Sequence, residues 1–166
     1  MFACARLGAI LVSVNTRFRA HEVADIVSRS GCRMLVLWPD FKAIDFTGIL
    51  RAIAPDALQA LEHVIVYDEA DEPAASPVIA GVPVSTYAAL GHSSEDVAPM
   101  VGSPLHRCVI FTTSGTTRAP KFVCHVQGTV VRHAHDVASA LGMQRVGAKV
   151  LQALPLCGVF GYTQAL

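Results

Sequence analysis

From Val109 the chain reads Val-Ile-Phe-Thr, then five small residues from Thr113 to Thr117, four of them hydroxylated, then Arg118, Ala119, Pro120 and Lys121, before turning apolar again. A β-branched and aromatic run favours a buried strand, and small hydroxylated residues with a glycine end it in a turn. Arg107–Thr112 therefore reads as a strand, and Lys121–His125 as the return strand of a hairpin. Hydroxyl groups, an unobstructed backbone at Gly115 and one ammonium are what a polyphosphate needs. Backbone N–H groups in a tight turn form an anion nest, and lysine acts as a point charge. A Ser/Thr-rich turn without a ligand is the competing reading; Pro120 and Lys121 tilt the balance toward phosphate.

Other nucleotide signatures are missing. The G-x-x-x-x-G-K-[ST] loop does not occur, and no GxGxxG opens a helix. Ser114 lacks the G-x-S-x-G elbow of a hydrolase nucleophile. No C-x-x-C spacing supports zinc. His133 and His135 are two apart on a helix, about 200° round the axis, so they do not share a metal. No metal ligand is expected.

The surrounding pattern alternates strands with helices. Ala9–Val14, Arg33–Trp38 and His63–Tyr67 read as strands. Ala20–Ser30 reads as a helix on Val23, Ile26 and Val27, ended by Gly31; Arg19 is a poor N-cap. Strand, helix, strand with short links implies a βαβ unit and a parallel sheet covered on both faces. Phe41–Leu61 holds helical pieces broken at Pro55. Asp68, Glu69, Asp71 and Glu72, followed by Pro73, Pro77 and Pro83, read as a solvated loop. Ser85 is expected to cap a short helix through Leu90. Gln127–Leu141 is a helix with Val130, Ala134, Val137, Ala138 and Leu141 on one face, ended by Gly142. Lys149–Leu154 reads as a further strand and Pro155–Gly161 as a loop.

The 166 residues, 52% hydrophobic with zero formal net charge, suffice for a real core and exert no long-range pull on nucleic acid or an acidic membrane. No apolar run approaches about 18 residues, so no membrane span is expected. Five scattered cysteines read as reduced thiols of a cytoplasmic protein, with Cys157 a small packing residue. Helix-like residues directly after Met1, closed by Gly8, and an apolar C-terminal segment read as a chain that begins and ends within elements, part of a larger domain.

Thr113, Ser114, Gly115, Thr116, Thr117, Pro120 and Lys121 resemble the signature loop of the adenylate-forming enzymes, T-S-G-T-T-G-x-P-K-G. Ala3–Val14 with Asn15 and the helix at Ala20 is similar to that superfamily's upstream segment. Ala153, Leu154, Pro155 and Leu156 resemble its A-L-P-L stretch leading to the acyl pocket. The resemblance implies an α/β fold, part of the N-terminal domain of an acyl-CoA synthetase. Residues 1–67 would be a βαβ portion of mostly parallel sheet, 68–104 an irregular linker region and 105–166 the phosphate-loop hairpin portion. It implies an AMP-forming ligase that joins a small carboxylic acid to a thiol. ATP, Mg2+ and coenzyme A would be its cofactors. Thr113, Ser114, Gly115, Thr116, Thr117 and Lys121 would grip the phosphates; Cys157 and Gly158 would lie at the substrate.

The sequence departs from that pattern. Arg118 and Phe122 replace motif glycines, Gln127 stands where a histidine is common, and Cys157 and Gly158 replace an aromatic and a histidine. The family's adenine, magnesium and catalytic-lysine motifs would follow Leu166, so these residues alone are expected to be inactive, with exposed apolar surface favouring self-association. The alternative is a non-catalytic nucleotide-binding or partner-binding domain that keeps the loop.

Overall fold

The computed structural model describes residues 2–67, 78–91, 102–113 and 120–166. The acidic run from Asp68 to Glu72 with Pro73 and Pro77, the stretch 92–101, and the loop Ser114, Gly115, Thr116, Thr117, Arg118 and Ala119 lie outside the described residues. The chain divides into two compact units: Arg17–Val97, and the segments Met1–Thr16 and Ala98–Leu166 together.

The Arg17–Val97 unit carries a four-stranded sheet. Its elements are α2 (Ala20–Ser30), β2 (Met34–Leu37), a 3-10 turn (Phe41–Ala43), α3 (Phe46–Arg51), a second 3-10 turn (Pro55–Leu58), β3 (His63–Val66), β4 (Val78–Ile79), β5 (Val82–Thr86) and α4 (Tyr87–Leu90). The strand order is β2-β3-β5-β4, parallel except for the β4–β5 pair. Val64, Ile65 and Val66 are all buried, as a continuous apolar run in a central parallel strand requires. Val23, Ile26 and Val27, at i, i+3 and i+4, bury one face of α2.

Local chemistry explains the boundaries. Gly31 ends α2 at φ +60°, its N–H donating to Val27 O at 3.1 Å. The start of α2 depends on Glu22 rather than on a capping side chain at Arg19. The Arg19 N–H donates to Glu22 Oε2 at 3.0 Å, while the guanidinium folds back onto the carbonyls of Arg17 and Phe18. Asp45 caps α3 by accepting from Gly48 N at 2.7 Å. Pro55 opens the second 3-10 turn, where its missing N–H costs nothing.

Several expectations are corrected here. The parallel crossover runs from β2 through α3 to β3, not from the first strand through α2 to β2. Pro83 is part of β5, opposite Val78 of β4 and one residue before the stretch of β5 that pairs with β3. Ala80 (φ +51°) and Gly81 (φ +82°) join β4 to β5 in the two-residue left-handed turn that matches strand twist. The short helix α4 is capped by Thr86, whose Oγ1 accepts from Ala89 N at 3.2 Å. Ser85 instead bonds His63 Nε2 at 2.9 Å.

The other unit contains α1 (Phe2–Leu7), β1 (Leu11–Ser13), β6 (Arg107–Thr113), β7 (Lys121–Val126), α5 (Gln127–Ala140) and α6 (Val159–Gln164). Its sheet has the order β1-β6-β7, with β1 parallel and β7 antiparallel to the central β6. Cys108, Val109 and Phe111 of β6, Val130 of α5 and Tyr162 of α6 form its core, flanked by Leu11 and Val159. Lys149–Leu154 is not a strand: Leu151 is 90% exposed, and an apolar run needs a sheet neighbour to become one. The loop expected over Pro155–Gly161 gives way at Val159 to α6, because Tyr162 and Thr163 bury themselves and Gly161 leaves room for the carbonyls of Leu154 and Pro155.

Candidate functional site

β6 enters the site buried and leaves it exposed. Val109 and Phe111 are covered, and Thr113 is open. Its ladder with β7 runs to the pair Thr113–Lys121, the last before the loop. Side chains alternate across a sheet, so Thr113 and Lys121 lie on the face of Val109 and Phe111, just past the covered core. A hydroxyl and an ammonium thus share one face at the mouth of the turn. Ser114, Gly115, Thr116 and Thr117, the other loop residues expected at the phosphates, lie outside the described residues.

The hairpin is held by contacts between its own strands, by α6 and by the junction with α5. Phe111 meets the Tyr162 ring edge-on at 5.2 Å and His125 at 5.6 Å, contacts that add to plain burial. The Cys108 thiol points at the His125 carbonyl, 3.5 Å away. At the far end of β7 the chain turns directly into α5 without a side-chain cap. The first amides of α5 are satisfied by preceding carbonyls instead: Gln127 N donates to His106 O and Gly128 N to Pro104 O, both at 2.8 Å. A Cβ at Gly128 would lie 2.9 Å from Pro104 Cβ and 3.0 Å from its carbonyl oxygen, so the close approach requires glycine.

Phe122 occupies a regular ladder position opposite Thr112. Its φ is not positive, so replacing the motif glycine there imposes no backbone strain. Gln127 reaches the carbonyl of Ala5 in α1 through its Nε2 at 3.4 Å. That tie between distant segments was not legible in the sequence; nor were the supporting roles of His125 and Tyr162.

Cys157 is half-buried in the turn before α6, and Gly158 is the N-cap of that helix. Gly158 has φ −109°, which any residue adopts, and a Cβ there would meet only Pro155 O at 3.8 Å. The two residues and the hairpin share one support. Val159 and Tyr162, which follow them, pack on the cluster that holds Phe111, two residues before Thr113. Gln152 fixes this turn, its Nε2 donating to Leu154 O at 2.9 Å and Gly161 O at 3.0 Å. His133 and His135 are both exposed on α5, and His135 contacts the Gln144 amide at 3.2 Å.

Comparison with known proteins gives this geometry a context. The AMP-binding enzyme family matches residues 1–166. The chain is 27% identical over 165 residues to the long-chain-fatty-acid–CoA ligase FadD13 of Mycobacterium tuberculosis, covering 99% of this chain and 29% of that protein. It is 23% identical over 171 residues to the mitochondrial medium-chain acyl-CoA ligase ACSF2 of Rattus norvegicus, covering 95% of this chain and 27% of the relative. The chain thus spans under a third of the length of these curated relatives. Its fold is similar to the crystal structure of a protein assigned as a long-chain-fatty-acid CoA ligase from Rhodopseudomonas palustris CGA009. The TM-score is 0.71 at 22% identity, over 97% of this chain and 36% of the other.

Proposed function

The chain belongs to the AMP-binding enzyme family, and from that premise we propose that the full-length protein is an AMP-forming ligase joining a carboxylic acid to coenzyme A. In the first step a carboxylate oxygen bonds to the α-phosphorus of ATP, and the bond to the departing pyrophosphate breaks. In the second, the thiol sulfur bonds to the acyl carbon, AMP leaves, and the thiol proton passes to solvent. The hairpin serves the first step. Lys121 and the hydroxyls of Thr113, Ser114, Thr116 and Thr117, with the backbone at Gly115, neutralise and orient the β- and γ-phosphates. Phosphoryl chemistry asks the protein for position and charge more than for covalent help.

The donors of this hairpin suit phosphate rather than a divalent cation. Neither β6 nor β7 carries an acidic residue, and magnesium favours carboxylate and water oxygens. Mg2+ would arrive with ATP and offset phosphate charge; Thr113 and Lys121 would hold the nucleotide it accompanies. Cys157 and Gly158, at the α6 end of the shared core, are assigned to the acid. The relatives are named for long-chain and medium-chain acids, which supports carboxylic acid as the substrate class. All five cysteines are unpaired, which favours a reducing, cytoplasmic setting.

The observation that carries this reading is the Thr113–Lys121 pair closing the ladder at the mouth of a hydroxyl-rich loop. Its test is acid-dependent exchange of labelled pyrophosphate into ATP by the full-length protein. Lys121→Ala should lower kcat/KM about 10- to 100-fold, the loss of one charge-assisted contact. Undiminished exchange in that variant overturns the role of Lys121. ATP binding without exchange would favour a non-catalytic nucleotide-binding domain.

A further inference from the structure

Most of the glycines answer to the backbone or to a close neighbour; Gly158 answers to neither. Gly161 is pressed against the carbonyls of Pro155 and Leu154, and Gly31 takes a left-handed φ. Among the described glycines only Gly102 and Gly158 have neither a positive φ nor a neighbour within 3.4 Å of an added Cβ. Gly158 lies at φ −109° and ψ 154°, in the extended region open to any residue. A side chain there would begin 3.8 Å from Pro155 O, at ordinary contact distance. Its backbone is engaged locally. The N–H donates to Pro155 O at 3.2 Å, and the carbonyl accepts from Tyr162 N at 3.0 Å. The glycine therefore does not serve to offer an amide to a ligand. It also forgoes the capping side chain that Ser, Asn or Asp would bring to this N-cap. What remains is the space a side chain would fill.

Resting on the ligase reading above, with Cys157 and Gly158 at the acid, we infer that Gly158 is a specificity residue. It admits an acid that is bulky next to its carboxyl group, a ring-bearing or α-branched hydrocarbon acid. The carboxylate must reach the α-phosphorus, next to the phosphates held by Thr113 and Lys121. The carbons nearest the carboxyl therefore pass the part of the acid site closest to the hairpin. Gly158 belongs to that part: its carbonyl bonds Tyr162 N, and the Tyr162 ring meets Phe111, two residues before Thr113, at 5.2 Å. Cys157 and Gly158 stand where the signature pattern carries an aromatic residue and a histidine, so both replacements reduce volume. Neither adds a carboxylate or an ammonium, so the bulk they suit is apolar. One added carbon in an apolar pocket shifts selection by about 10- to 200-fold, so a missing Cβ at this point is enough to decide between acids.

The test compares cyclohexanecarboxylate with heptanoate, acids of equal carbon number, in pyrophosphate exchange by the full-length protein. The parent should use the ring acid at least as well as the straight chain. Gly158→Ala should lower kcat/KM for cyclohexanecarboxylate about tenfold and Gly158→Val about 100-fold, mainly through KM for the acid. Heptanoate should change less than about threefold in either variant, and KM for ATP should not move. Thermal unfolding of both variants serves as the folding control, and a purely structural effect would lower both acids together. A parent that prefers heptanoate, or a ratio of the two acids that Gly158→Ala and Gly158→Val leave unchanged, overturns the inference while the ligase reading stands. Absence of exchange with every acid of a wider panel, straight-chain and branched, overturns the ligase reading and the inference with it.

Discussion

Thr113 and Lys121 are directly opposed, the last cross-strand pair before the loop that joins β6 to β7. Their positions follow from burial further down the same strand. Val109 and Phe111 anchor β6 in the core, and the antiparallel ladder transmits that register to Lys121. The register of the Thr113–Lys121 pair is therefore set by a hydrophobic cluster further down the same strand.

Phe111 is the centre of that cluster. Phe111→Ala should destabilise the fold by about 3–5 kcal/mol, the usual cost of removing a buried aromatic ring, since it abandons both Tyr162 and His125. Phe111→Leu should cost less. Urea unfolding measures both, and a loss under about 1 kcal/mol for the alanine variant would show that the cluster does not hold the hairpin.

Gly128→Ala and Gly161→Ala should each destabilise by about 1–3 kcal/mol through overpacking. At Gly128 the added carbon meets Pro104, and at Gly161 it meets the Leu154 carbonyl oxygen at 2.8 Å. Gly158→Ala, with only an ordinary 3.8 Å contact, should be nearly neutral. Thermal unfolding of the three variants distinguishes them, and equal shifts would refute the steric argument.

Acid should weaken the Arg17–Val97 unit. The Arg19 amide holds the Glu22 carboxyl below its usual range, and the Gly48 amide, aided by Thr47, does the same for Asp45. Arg33 lowers Glu62 likewise through a two-pronged contact at 2.7 Å. Each group favours the folded state while ionised. Its contribution is complete above the ordinary carboxylate pKa and is lost as pH falls through the depressed value. Asp45→Asn should be less stable than the parent at neutral pH, and the gap should close toward acid. A gap that stays constant in urea midpoints across pH would show that ionisation is not the cause.

Thiol reactivity should follow position. Burial raises the pKa of Cys108, with Cys124 adding to it, and burial raises that of Cys32. Both therefore hold less thiolate at neutral pH. Cys124 is exposed and Cys108 is buried, so a maleimide should label Cys124 first and Cys108 only on unfolding. Mass spectrometry of timed samples reads the order, and simultaneous labelling would contradict the packing of β6.

What the sequence determined by itself is local. The helix over Ala20–Ser30 with Gly31 beyond it, the helix starting at Gln127 with Gly142 as its stop, and the β6–β7 hairpin were all legible. Apolar periodicity, left-handed glycines and β-branched runs act over a few residues. Thr113 and Lys121 stood out for the same reason, since a hydroxyl-rich turn followed by lysine is a pattern of neighbours. Tertiary structure decided the rest. Leu11 lies beside Val109, not beside β2, and this pairing joins residues far apart in the chain. Glu22 supplies the helix start that Arg19 lacks, Lys149–Leu154 finds no strand to pair with, and α6 forms where Tyr162 can reach Phe111. In each case the deciding partner is distant, and a local pattern carries no record of who the partner is.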